Sequence, residues 1–166
     1  MAITANIEKL PVSEEDPLYR ELEITMQRLG HLVPFREHLN WDEHIDSVQL
    51  GDNDQLQQLK KTAAKNDGAL LFWVKLSKNT VFRHLIFHPN NQGFYLPFRF
   101  AEPFTLEMKG KKIWFGSSIR LLEELGWLEM TMEQSEDNDV IEYWKTLREL
   151  CSTSKERMSA FQLEHT

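Results

Sequence analysis

Phe104 to Met108 and Lys111 to Phe115 flank Lys109-Gly110, and only one pairing register makes chemical sense of both segments. That register sets Leu106 against Ile113 and Phe104 against Phe115 on one face, and Glu107 against Lys112 on the other. Side chains alternate faces along a strand, so a slip of one residue destroys both matches. The hairpin commits the middle of the chain to an antiparallel sheet.

The residues before it extend the pattern. Ala69 to Ser77 and Thr80 to His88 are rich in β-branched and aromatic residues and meet at Lys78-Asn79, which predicts a second hairpin. Its register pairs Leu76 with Val81, Phe72 with Leu85 and Leu70 with Phe87. Trp73 then faces His84, and Lys75 faces Phe82, on the opposite side. Pro89-Asn90-Asn91-Gln92-Gly93 turns into a strand from Phe94 to Phe100, with Phe94, Leu96, Phe98 and Phe100 on one side. Pro97 lacks a donor, which places that strand at an edge or at a break in pairing. The expectation is an α+β fold with a β-meander of at least four antiparallel strands across residues 69–115.

Helical periodicity lies on both sides. Asp16-Pro17 opens a helix carrying Leu18, Leu22, Met26 and Leu29, with Gly30 at its end. Residues 31–51 read as short helices or turns. A helix from Asp54 to about Asn66 follows, with Asp52 and Gln55 at capping-box spacing. Gly116-Ser117-Ser118 caps a short helix through Leu125 that Gly126 ends, and Trp127 to Met132 reads as one more strand. A long C-terminal helix carries Val140, Trp144, Leu147, Cys151, Met158 and Phe161. Residues 1–15 read as a loose leader. With no Pro/Gly/Ser-rich linker, residues 1–166 are expected to form a single domain.

Charge is unevenly distributed. The net charge of −7 resolves into −6 over residues 1–68, +6 over 69–120 and −7 over 121–166. The total excludes a polyanion binder coated in positive charge but allows a local basic surface. The single cysteine, Cys151, forms no internal disulfide and points to a reducing compartment. The start lacks the pattern of a secretory signal, and the longest apolar stretch, Ala69 to Val74, is too short to cross a bilayer. A cytoplasmic protein with no membrane partner is the expectation.

Motifs for chemistry are weak. Each glycine stands at an element boundary, and none joins a loop that could cradle phosphate. Ser117 and Ser118 sit at a strand-to-helix turn but lack the second glycine of a nucleophile elbow, so they read as helix-capping residues. Glu37, His38, Asp42, Glu43 and His44 are metal-capable, yet their spacing fixes no complete ligand set. Cys151 lies on the last helix's apolar stripe and reads as a buried structural residue. No catalytic residue, metal or cofactor is expected.

The strand pattern instead singles out a sheet face bearing Trp73, Lys75, Phe82, His84, His88, Tyr95, Arg99, Lys112 and Trp114. Such an aromatic and cationic face suits a partner surface, where Trp, Tyr and Arg carry most of the energy. It equally suits a face covered by one of the chain's own helices, whose acidic residues would answer its cations. The composition favours a non-enzymatic macromolecule-binding module: an adaptor, an assembly factor, or an antitoxin- or immunity-like protein that occludes its target. A protein partner is expected, and a homodimer is compatible. One alternative is single-stranded nucleic acid or another polyanion, with bases on Trp73, Tyr95 or Trp114 and phosphates on Lys75, Arg99 and Lys112. Another is an enzyme whose site is assembled from scattered His and carboxylates.

Overall fold

The computed structural model describes residues 2–7, 17–29 and 46–165. The fold is α+β, with helices flanking a six-stranded, mostly antiparallel sheet and a long helix near the C-terminus. In chain order the strands are β1 (Ala2–Ile7), β2 (Asp46–Asp52), β3 (Gly93–Leu96), β4 (Phe104–Met108), β5 (Lys111–Ser117) and β6 (Phe161–His165). The helices are α1 (Pro17–Arg28), α2 (Asn53–Asn66), α3 (Leu71–Ser77), α4 (Arg83–Phe87), α5 (Ser118–Gly126), α6 (Glu129–Glu133) and α7 (Asn138–Arg157). Strand order across the sheet is β2-β1-β6-β3-β5-β4.

The β4–β5 hairpin forms in the register read from the sequence, with Phe104 opposite Phe115, Leu106 opposite Ile113 and Glu107 opposite Lys112. Helix α2 opens on the expected capping box. The Asp52 carboxylate accepts from the Gln55 N–H at 2.9 Å, and the Gln55 side chain accepts from the Asp52 N–H at 2.8 Å.

The four-stranded meander is not formed. Residues 69–88 hold α3 and α4 instead of a hairpin, and β3 pairs with β5 in parallel. Local β propensity loses here because distant side chains cap α4 at both ends, as described below. The parallel pair arises because residues 97–103 carry the chain past β5's position to the edge strand β4, and the hairpin then returns β5 beside β3. Pro97 ends β3 after Leu96, yet that strand is interior, between β6 and β5.

Three strands lie where no strand was expected. Ala2–Ile7, read as part of a loose leader, is an interior strand that pairs with β2 and β6, and its alternate residues Ile3, Ala5 and Ile7 are buried. Asp46–Asp52 is an edge strand, and Phe161 belongs to β6 instead of the last helix, which ends at Met158 in a left-handed conformation. Trp127 to Met132, expected as a strand, is a turn at Trp127 and Leu128 followed by most of α6. The Asp16 cap, Gly30 and residues 31–45 lie outside the described residues.

Both faces of the sheet are covered. One packs Ile3, Ala5, Tyr95, Phe161 and Leu163 against α2, α4, α5 and α7, with Leu56, Leu59, Leu121, Leu147 and Cys151 in the same cluster. The other packs Phe94, Leu96 and Phe115 against Leu22 and Met26 of α1, with Phe98 and Phe100 from the 97–103 connection. Tyr95 stacks between His88 and Phe161. Beneath it Gly116 leaves the only room available, since a Cβ there would lie 2.5 Å from the Tyr95 ring.

Tyr95→Ala is therefore expected to lower unfolding free energy by about 3–5 kcal/mol, as for other buried aromatics cut to alanine. Trp73→Ala, on the exposed side of α3, is expected to change it by less than about 0.5 kcal/mol. Chemical denaturation of the two variants checks the contrast, and equal losses would contradict this placement.

Candidate functional site

The nine residues expected on one sheet face are dispersed. Phe82, His84, His88 and Tyr95 are buried, and Trp73 and Lys75 are exposed on α3. Arg99 is exposed and ion-paired with Glu123. Lys112 and Trp114 stay together on β5, beside Gln92, Lys111 and Gln162, at a groove of about 400 Å³. The shared face required strands at 69–88, and a helical conformation there sends these side chains in separate directions. The arginines of the middle segment are answered from within the molecule. Arg83 pairs with Glu102, Arg99 with Glu123, and Arg120 with Glu123 at 3.2 Å.

The buried histidines belong to a polar network built around α4. The Glu124 carboxylate, from α5, accepts from the His84 N–H at 3.2 Å and the Leu85 N–H at 3.0 Å, capping the start of the helix. At the other end the Lys60 ammonium donates to the carbonyls of Ile86, His88 and Pro89 at 2.9–3.3 Å. The Asn90 amide donates to those of His84, Leu85 and His88. Tyr95 in turn donates to Asn90 Oδ1 at 2.5 Å.

His84 Nδ1 accepts from the Ser117 N–H at 3.1 Å, so Nε2 carries the proton and donates to Phe100 O at 3.0 Å. His88 is held the same way, accepting from the Asn90 N–H and donating to Phe94 O. Both rings are neutral, with burial drawing His84 down to about 4 and His88 to about 3. Burial pushes Glu124 up to about 8 against the pull of its two amide donors and Arg120, and draws Lys60 down to about 7 with help from nearby Lys75.

Shifted ionisation of this kind often marks catalysis. Here each ring nitrogen and both carboxylate oxygens are already engaged with main chain, and the side chains are buried. The cluster is a structural core that offers no group to a substrate. Cys151 is buried beside it, with its thiol held well above the ordinary range by desolvation. Ser117 caps α5 by accepting from the Arg120 N–H at 3.1 Å. Among the described residues no three His, Cys, Asp or Glu side chains group to hold a metal ion. The His38 cluster lies outside those residues.

What the surface does offer is acid. Helix α7 turns Val140, Tyr143, Trp144, Leu147, Leu150, Cys151 and Ser154 inward. Its outer stripe reads Asp139, Glu142, Thr146, Glu149, Thr153 and Glu156. Thr146 and Thr153 donate back to the Glu142 and Glu149 carbonyls, so carboxylates are the free polar groups along the stripe. Glu133 and Glu136 extend it beyond the helix start. Among the described residues none of Glu133, Glu136, Asp139, Glu142, Glu149 or Glu156 stands in an ion pair. From Asp139 to Glu156 the stripe is about 25 Å long at 1.5 Å per residue. The sequence signal for it was the seven-residue spacing of Glu142, Glu149 and Glu156 within the expected last helix.

Comparison with known proteins bears on this surface. Residues 11–164 match the family described as "Putative DNA-mimic protein". The chain belongs to that family. No curated protein and no solved structure matches the chain. The match covers nearly all of this family member, so the acidic helix, the buried network and most of the sheet lie within it. No helix among the described residues is long and apolar enough to cross a membrane.

The buried network generates a pH prediction. Glu124 binds its proton more tightly folded than unfolded, so between about pH 4.5 and 8 its contribution to stability falls as pH rises. His84 and His88 act oppositely, because the unfolded chain takes up protons below about pH 6.5 that the folded chain refuses. Glu124→Gln removes the opposing group, and the rise of stability from pH 4.5 to 6.5 is expected to steepen by about one proton, roughly 1.4 kcal/mol per pH unit. Denaturant unfolding across that range measures it, and an unchanged slope would contradict the assignment.

Proposed function

We propose that this protein is a non-enzymatic, DNA-mimicking inhibitor that occupies the DNA-binding surface of a protein partner, with the outer stripe of α7 standing where phosphates would lie. The observation that carries the reading is the row of unpaired carboxylates on α7, in a member of a family described as DNA mimics. A DNA-binding surface is built of Lys and Arg positioned for a regular run of negative charge. Carboxylates repeated along a rigid helix offer such a run, and about 25 Å of it approaches the roughly 34 Å of one duplex turn.

The rest of the electrostatics agrees. A net charge of −7 steers basic partners towards the protein and repels DNA itself. Ion pairs with Glu102, Glu123 and Glu124 take up Arg83, Arg99 and Arg120, so those cations compete less with the outward acid. Occlusion of a target is the immunity-like reading drawn from composition, with the surface moved from the sheet to the last helix.

The test begins with proteins captured from the native cell at low salt and released by added duplex DNA. Replacing Glu142, Glu149 and Glu156 together by Gln is expected to weaken binding to such a partner at least about tenfold and to flatten its salt dependence. The melting temperature should be nearly unchanged, because all three side chains are exposed. A partner that DNA does not displace, or that binds the triple variant equally well, would refute the proposal.

A further inference from the structure

Helix α3 is inverted. It buries Val74 and half-buries Leu71, while Phe72, Trp73 and Leu76 share its outer face. Phe72 and Leu76 are 69% and 66% exposed, and Phe72 meets Trp73 edge to face at 5.5 Å. Leu70 before the helix and Val81 after it are also exposed.

The patch continues onto α6. Asp67 holds Thr80 and the Val81 N–H, Thr131 donates to Asn66, and Trp127 packs on Phe82 with ring centroids 6.0 Å apart. These contacts bring exposed Trp127 and Met130 to the same end of the molecule. Of the ten large apolar side chains exposed among the described residues, seven lie on these segments. Together they expose on the order of 700 Å², more than the 300–600 Å² of the largest patch on a typical monomer.

We infer that this patch is a homodimer interface and that its occupant is a second copy of the chain, related by a two-fold axis. The area is close to the roughly 800 Å² per partner of a standard interface. Charge at the margins selects self-association. Lys75 and Lys78 edge the α3 side and Glu133 edges the α6 side, with no acidic residue between 69 and 82. A two-fold axis through an apolar centre lays the basic edge of one copy over the acidic edge of the other. The inference is independent of the α7 surface, which a dimer presents twice.

Sedimentation equilibrium of the full chain over a concentration series is expected to show a monomer–dimer equilibrium. Trp73→Glu and Leu76→Glu are each expected to raise the dimer Kd more than about tenfold, with a melting temperature equal to that of the unsubstituted chain at concentrations below its dimer Kd, since both side chains are exposed in the monomer. Lys75→Glu is expected to weaken the dimer, and Lys75→Glu with Glu133→Lys to restore it, because the swap rebuilds the pair across the axis. A monomer at all concentrations overturns the proposal, even one whose patch binds another protein. So does a dimer indifferent to Trp73→Glu and Leu76→Glu.

Discussion

Helix α4 is five residues long, far too short to persist on its own propensity, and it holds because its ends are satisfied by side chains from elsewhere. The Glu124 carboxyl group accepts from the open N–H groups at one end and the Lys60 amine donates to the carbonyls at the other, so both ends are satisfied. Neither group sits near α4 in sequence. One comes from α5 and the other from α2, so forming the helix requires both elements to be docked. Asn90, in a left-handed conformation with φ of 62°, folds its amide back beneath the helix and presents its oxygen to Tyr95. The centre of the sheet and three helices are thus bound into one hydrogen-bonded unit.

The same network explains why the sequence misleads at residues 69–88. Thr80, Val81, Phe82, Leu85, Ile86 and Phe87 favour a strand locally, and nothing nearby speaks for a helix. What decides is the buried carboxyl group of Glu124, whose oxygens need N–H donors and find them at an open helix N-terminus. Such a demand is invisible in a local window. By contrast, the β4–β5 hairpin and the α2 capping box were legible because all their determinants lie within about a dozen residues. Ser117 as an N-cap was legible for the same reason.

Strands β1, β2 and β6 were illegible for a different reason. Ala2–Ile7 alternates buried Ile3, Ala5 and Ile7 with Thr4 and Asn6, yet alternation this short competes poorly with the expectation that chain ends are loose. Its meaning comes from β6, paired with it from the far end of the sequence. The aromatic residues assigned to one exposed face were sound evidence of covered sheet, since Tyr95 and Trp114 do face the helical side. The error lay in placing Trp73, Phe82 and His84 on the same strands.

The distribution of charge then separates the inner and outer chemistry of the protein. Arginines drawn from the basic middle are held by Glu102, Glu123 and Glu124, two of which belong to α5, so part of the acidic excess is spent inside the fold. Part of the rest stands on α7, where the spacing of its glutamates limits their cost. Like charges at i, i+4 repel on a helix surface, but Glu142, Glu149 and Glu156 are seven residues apart, about 10.5 Å. That separation exceeds the Debye length of roughly 8 Å at physiological ionic strength, so the helix carries them with little mutual repulsion. A partner whose cations approach within contact distance meets each carboxylate at full strength. These three carboxylates are therefore cheap to maintain in the free protein and strongly attractive in a complex, which is the electrostatic asymmetry that the proposed substitution for phosphate requires.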